Sequence, residues 1–268
     1  MKSTLDQIED IKNHGYSLDF STVFNHAFEN YKKIALYFGL IILVFSVIFF
    51  FALFSVLFAY YGVESMSKDF FENFDAQKQT SVQTLISLLA TSVVSGLVAP
   101  FSAGFLKMAD CADKDEEFNV STIFTYYKTH HFSQIFTIGF IIAIISSAIS
   151  TAIGAYFNEM GIISMSFLLN LIISYLTYLA IPLVIFGNLK ALDALKSCLI
   201  IISKKPLLIF ALVLVGFIGS FIGFFGCCIA IIFTLAFSTS MTYATYCGIF
   251  NMEEEEDSID SIGQSDLE

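Results

Sequence analysis

The sequence contains no tryptophan and no arginine, and only 14% of its 268 residues are charged. A domain that folds in water carries roughly 25% charged residues, so too few polar side chains are present here to cover a solvated surface. No basic patch exists, which excludes a nucleic-acid partner. None of the five cysteines (Cys111, Cys198, Cys227, Cys228 and Cys247) forms a CxxC pair, and the vicinal Cys227 and Cys228 have poor geometry for bridging. They are expected to be small buried residues rather than a disulfide framework. The first 33 residues are polar, which argues against a cleaved signal peptide, whose apolar core begins closer to the first residue.

What is present is apolar and arranged in blocks. Hydrophobic residues make up 56% of the chain, with 31 phenylalanines. Of the 24 acidic residues, eight lie after Asn251, so the net charge of −11 mostly reflects one tail and the remainder is close to neutral. Long charge-free runs place about six transmembrane helices, at 34–60, 80–106, 134–157, 161–187, 206–222 and 226–250. The last two come from 45 consecutive uncharged residues, 206–250. As one helix these would reach ~68 Å, over twice the ~30 Å hydrocarbon core, so the chain must fold back near the glycines of GSFIGFFG. Residues 1–17 form an N-terminal segment, 18–250 a single transmembrane domain, and 251–268 a disordered acidic tail too charged to fold alone.

The lysines set the orientation. Eleven lie in the N-terminal segment, the 2–3 connection and the 4–5 connection, against Lys68 and Lys78 on the other side. This bias predicts both termini in the cytoplasm. Tyr60, Tyr61, Tyr126, Tyr127 and Tyr156 stand in for tryptophan as interfacial anchors.

A short pattern recurs. Residues 18–24 read LDFSTVF and residues 118–124 read FNVSTIF, and Asp19 and Asn119 are both good helix N-caps. After the first copy, Phe20, Val23, Phe24, Ala27, Phe28 and Tyr31 recur with helical period. This predicts an amphipathic helix that lies at the cytoplasmic interface, ends at Lys32-Lys33 and puts its aromatic face against lipid. A looser third copy begins near Asn188, with Leu189, Leu192, Leu195, Leu199 and Ile202 on one face. The fold expected is therefore all-α: three transmembrane hairpins, each preceded by an interfacial amphipathic helix. Pro100 and Pro182 fall late in the second helix of the first two units. They are candidate kinks, either lining a cavity or tolerated within a packed bundle.

The hairpin with APFSAGF near its end, then IPLVIF, LDALKSCLIIISKKPLLIF and GCCIAIIFTLAFSTSMTYATY, resembles poorly characterised bacterial six-helix inner-membrane proteins. These are similar to the membrane modules found ahead of glycerophosphodiester phosphodiesterase domains. The resemblance covers roughly 18–250 and implies architecture and a bacterial inner membrane. It lends no catalytic residues, and the last hairpin lacks the proline such families often keep.

Chemistry is sparse. No carboxylate, histidine or lysine falls inside an expected span, which disfavours a coupled transporter or proton pump. His14, His26, His130 and His131 lack zinc-ligand spacing, and the serines have no partner base. The acidic run at 110–117 lacks calcium-loop spacing and is expected to be a solvated connection, as are Glu64, Asp69, Glu72 and Asp75. Hydroxyls cluster at Thr91, Ser92 and Ser95, at Ser146, Ser147 and Ser150, and at Ser238, Thr239, Ser240 and Thr242. They suit helix packing with cross-helix hydrogen bonds, or a polar path. No catalytic, metal or cofactor site is expected. The leading expectation is a non-catalytic accessory or scaffold protein acting through membrane lipids and another membrane protein. The alternative is a transporter, channel or lipid-handling protein with a cavity between the hairpins.

Overall fold

A computed structural model describes residues 3–65, 81–154, 159–226 and 230–250. Among them every regular element is helical. In chain order these are α1 (Thr4–His14), α2 (Phe20–Ser65), α3 (Ser81–Asp113), α4 (Val120–Ile123), a 3-10 turn (Thr125–Tyr127), α5 (Phe132–Gly154), α6 (Glu159–Leu176), α7 (Ala180–Ile185), α8 (Ala191–Lys204), α9 (Pro206–Gly226) and α10 (Ala230–Phe250). Five stretches are long and apolar enough to cross a bilayer: Phe20–Ala52, Val82–Asp113, Phe132–Ile153, Met165–Ile185 and Pro206–Phe224. The fold is that of a multi-pass, all-helical membrane protein.

Several elements differ from the sequence expectation. The segment read as a separate interfacial helix is the first part of α2, a single helix of 46 residues. Tyr31, Lys32, Lys33 and Ile34 contain no glycine or proline, so nothing stops the helix before the apolar run. Its expected lipid face is divided. Val23 and Ala27 are buried, Phe24 and Tyr31 meet the edge of Phe237 on α10, Phe20 is half-buried and stacks on Phe24, and only Phe28 is exposed. The first hairpin also pairs differently. Helix α2 packs chiefly on α10 and α3 chiefly on α5, because the small residues that allow close approach lie on those faces. A Cβ built on Gly139 of α5 would sit 2.8 Å from Ala99 and 3.0 Å from the Ser95 carbonyl of α3. Finally, α3 runs seven residues past Leu106, to Asp113, and carries part of the acidic run with it.

Both recurring caps are present. The Thr22 N–H donates to Asp19 Oδ2 at 2.8 Å and the Ser121 N–H to Asn119 Oδ1 at 2.9 Å. The cap bonds hold the exposed Asp19 carboxyl below the usual carboxylate range. The second copy then breaks into the one-turn α4 and the 3-10 turn rather than a long amphipathic helix. Helix α1 was not anticipated. Ser3 and Asp6 form a capping box, and Ile8 and Ile11 are buried. The serine three residues ahead of an acid is the signal that would have found it.

Helix α10 is the polar member of the bundle. It packs on both α2 and α9 and buries Ser240, Tyr243 and Thr245. A helix surrounded by protein does not need an all-apolar surface, which is why it falls outside the five apolar stretches.

Candidate functional site: a lateral cavity and the polar cluster beside it

The helix that begins at Glu159 is interrupted at 177–179 before α7 restarts it. Proline at 182 cannot donate to the carbonyl four residues back, so a continuous helix through this point is already weakened. The freed backbone groups are taken up from outside: the Leu179 N–H donates to Cys198 Sγ at 3.3 Å, and the thiol donates to the Leu176 carbonyl at 3.3 Å. Burial pushes the Cys198 thiol up to about 12, so it serves as a neutral hydrogen-bonding group rather than a nucleophile.

Beside this break lies a cavity of about 750 Å³, within the size range of small-molecule sites. Leu168, Leu171 and Ile172 of α6 form one side, and Phe210, Val213, Leu214 and Phe217 of α9 form the other. Ser102 of α3 and Ser238, Thr239 and Thr242 of α10 place hydroxyls along the back wall. The flanking leucines and phenylalanines are themselves exposed, so the cavity opens sideways between α6 and α9, toward where lipid lies. Pro182 lines it together with Thr177, Tyr178 and Ile181. Pro100 is buried in the middle of α3, outside the lining. There the Tyr127 hydroxyl donates to the Leu97 carbonyl at 2.7 Å, in the turn that the missing proline N–H loosens.

A second group of residues corrects the expectation of a solvated acidic connection for Asp110 and Asp113, whereas Asp115, Glu116 and Glu117 are exposed. Asp110 is 3% exposed. Lys107 pairs with it at 2.6 Å and Lys114 at 3.5 Å. The Tyr243 hydroxyl is shared between Asp113 Oδ2 at 3.1 Å and Asp110 Oδ1 at 3.3 Å, and His26 Nε2 meets Asp113 Oδ1 at 2.7 Å. Next to them Ser240 donates to Asn30 Oδ1 at 2.9 Å, and Asn30 donates to the Ala109 carbonyl at 2.8 Å. Lys33 reaches the Ala112 carbonyl at 2.9 Å and Asp115 at 2.7 Å. This cluster ties α2, α3 and α10 together at one end of the bundle. It is a locking network: every acid in it is engaged by a cation or hydroxyl, and no open position faces the cavity. Among the described residues no three His, Cys, Asp or Glu side chains stand close enough to hold a metal ion.

The remaining polar candidates are placed as follows. His131 Nε2 pairs with Asn188 Oδ1 at 2.8 Å, and His130 stacks on His131. Tyr126 is buried, which pushes its phenol up, and Tyr127 is partly exposed. Thr84, Ser87 and Thr91 of α3 face Ser146, Ser147, Ser150 and Thr151 of α5 across a shallow groove that Asn170 of α6 also enters. Asn170, a lone amide in SFLLNLIIS, was passed over in the sequence; it donates to the Ser166 carbonyl at 2.8 Å. Tyr60, Tyr61, Tyr156, Glu64, Asp69, Glu72, Asp75, Cys227, Cys228 and the acidic tail lie outside the residues whose side chains are described.

No protein-family model, curated protein or solved structure matches the chain.

Proposed function

We propose that the protein is a non-catalytic lipid-handling membrane protein whose working part is the lateral cavity between α6 and α9. The observation that carries this reading is the cavity's form: apolar on both flanks, hydroxyl-bearing at the back, and open sideways rather than through the bundle. An acyl chain fits such walls, because it needs no hydrogen bonds and reaches the cavity from within the bilayer. Ions and polar solutes do not suit it, because no charged side chain lines it.

The same proposal includes six spans, with α10 as the sixth, in a bacterial inner membrane with both termini in the cytoplasm. It keeps the resemblance to the six-helix inner-membrane modules. The lysine-bearing segments meet at one end of the bundle: Lys33 with Asp115, Tyr16 with the Ile201 carbonyl at 3.2 Å, and α1 against α8. That gathering supports the positive-inside orientation.

Retained lipid is the test. Native mass spectrometry of the full chain, purified in mild detergent, is expected to show one bound lipid. Val213→Trp, which projects an indole into the cavity, should lose that lipid while keeping a wild-type helical spectrum and unfolding midpoint. Equal retention by both proteins, or none by the wild type, would remove the cavity from the argument.

A second reading, an accessory or scaffold role, is favoured by the hydroxyl-lined groove on α3, α5 and α6. Thr91, Thr151 and Asn170 are exposed where lipid would lie, and hydroxyl and amide groups in that position commonly bond across to another helix. Cysteine placed at Thr91 and crosslinked in native membranes should capture a single partner in stoichiometric yield; labelling by lipid probes alone would discard this role.

A further inference from the structure

The cavity has one wall residue tied to the start of α9. Tyr175, which lines it, donates its hydroxyl to the Pro206 carbonyl at 2.9 Å and packs edge-on to Phe210 at 5.9 Å. Pro206 is the first residue of α9, and Phe210 lies one turn further, ~6 Å along the axis. Immediately before Pro206 come Lys204 and Lys205. With His14, Gly15, Tyr16 and Ser17 these two lysines line an open notch of about 420 Å³.

The notch is built for negative charge. No carboxylate lines it, and among the described residues neither lysine has an acid within ion-pair distance. Tyr16 is held by the Ile201 carbonyl and carries the Lys205 ammonium over its ring at 5.6 Å, which fixes the direction of that side chain. Burial pushes the Tyr16 phenol up to about 12, so it brings no negative charge of its own. α8 ends at Lys204 and α9 begins at Pro206, so their opposite dipole ends meet here and the positive charge of the notch is that of the two lysines. Leu207, two residues after Lys205, is 83% exposed, so an apolar side chain stands free next to the lysines.

We infer that the notch and the cavity form a single amphiphile site, in which Lys204 and Lys205 hold the phosphate of an anionic phospholipid whose acyl chain lies between α6 and α9. The inference rests on the lipid-handling reading and names its ligand class. It supplies a reason for the lysine pair to precede a proline: the charges stay at headgroup level while the helix that follows walls the chain.

The test is a titration of the full-length protein in mild detergent with phosphatidylglycerol and, separately, phosphatidylcholine of the same acyl chains, read by native mass spectrometry. The wild type is expected to bind phosphatidylglycerol about tenfold more tightly. Lys204→Gln with Lys205→Gln should erase that gap, and Lys204→Arg with Lys205→Arg should keep it. Val213→Trp should weaken both lipids. Equal binding of the two lipids by the wild type would overturn the headgroup site and leave the cavity reading intact; retention of neither lipid would overturn both. Two further results would displace the phospholipid: inorganic phosphate bound at the lysines as tightly as the lipid, or a carbodiimide crosslink from Lys204 or Lys205 to the acidic residues of 253–257 that persists at saturating phosphatidylglycerol.

Discussion

Replacing Asp110 with alanine is expected to destabilise the folded chain by about 3 kcal/mol or more. Asp110 is the most enclosed acid of the polar cluster, and two lysines and a tyrosine converge on it. Removing it leaves Lys107 without its 2.6 Å partner in a site only a third open to the outside. It also confines the Tyr243 proton to Asp113. The penalty is that of an uncompensated, partly buried cation, which is larger than the net worth of the pair itself. Lys114→Ala separates the two explanations. Its contact with Asp110 is longer, at 3.5 Å, and pairs of that kind contribute about 1 kcal/mol or less. Thermal and denaturant unfolding in detergent, followed by far-ultraviolet circular dichroism, gives both values. An Asp110→Ala protein within about 0.5 kcal/mol of wild type would show that the cluster is no lock.

Gly104→Leu should be nearly as damaging, by about 2 kcal/mol or more, for a steric reason. Gly104 lies on α3 where α4 crosses it, and a Cβ there would collide with the carbonyl of Ile123. The obstacle is backbone, pinned by the Asn119 cap and by the fully buried Ile123 side chain, so no rotamer change relieves the clash. The short helix must lift, taking Ile123 and Tyr126 out of the core. Gly216→Ala is the contrast. Its Cβ would meet the Met241 side chain at 3.4 Å and the Ser238 Cα at 3.8 Å, both ordinary contact distances. Alanine also favours the helix by up to about 1 kcal/mol, so this variant should be neutral or stabilising. If unfolding midpoints put the two variants together, the close approach of α4 to α3 is not what holds that corner.

The two effects belong to the same end of the molecule. The cluster and the α4 contact hold α2, α3 and α10 fixed, whereas α6 packs on α5 and α8 over smaller interfaces and exposes Phe167, Leu168 and Ile172. A rigid lysine-rich end beside a loosely walled side opening would suit the lateral lipid entry proposed above.

What the sequence determined by itself is whatever depends on neighbours along the chain. Hydropathy over some twenty residues placed the apolar helices to within a few residues at most ends, because burying a backbone in hydrocarbon demands a helix of that length. The caps at Asp19 and Asn119 were readable because a capping oxygen and the amide it accepts from lie within three residues. The lysine bias was readable because it is a count. The break after Leu176 was half legible: Pro182 marked the weakness, but the Cys198 thiol that stabilises it comes from α8.

Only the tertiary structure decided the rest. Asp110 looked like one acid in a solvated run until α10 brought Tyr243 to it from 133 residues away. The aromatic face of Phe20, Phe24 and Tyr31 has the same period whether it meets lipid or protein, and the position of Phe237 on α10 settled the choice for Phe24 and Tyr31. Helix α2 was divided at Lys32-Lys33 because charge usually marks an interface, yet helix continuity depends on backbone bonds that lysine does not interrupt. A cavity between the hairpins was one of two readings of Pro182, but its place was not legible for the most general reason: an absence of atoms between α6 and α9 is a property of how helices are arranged, and no residue in the sequence encodes it alone.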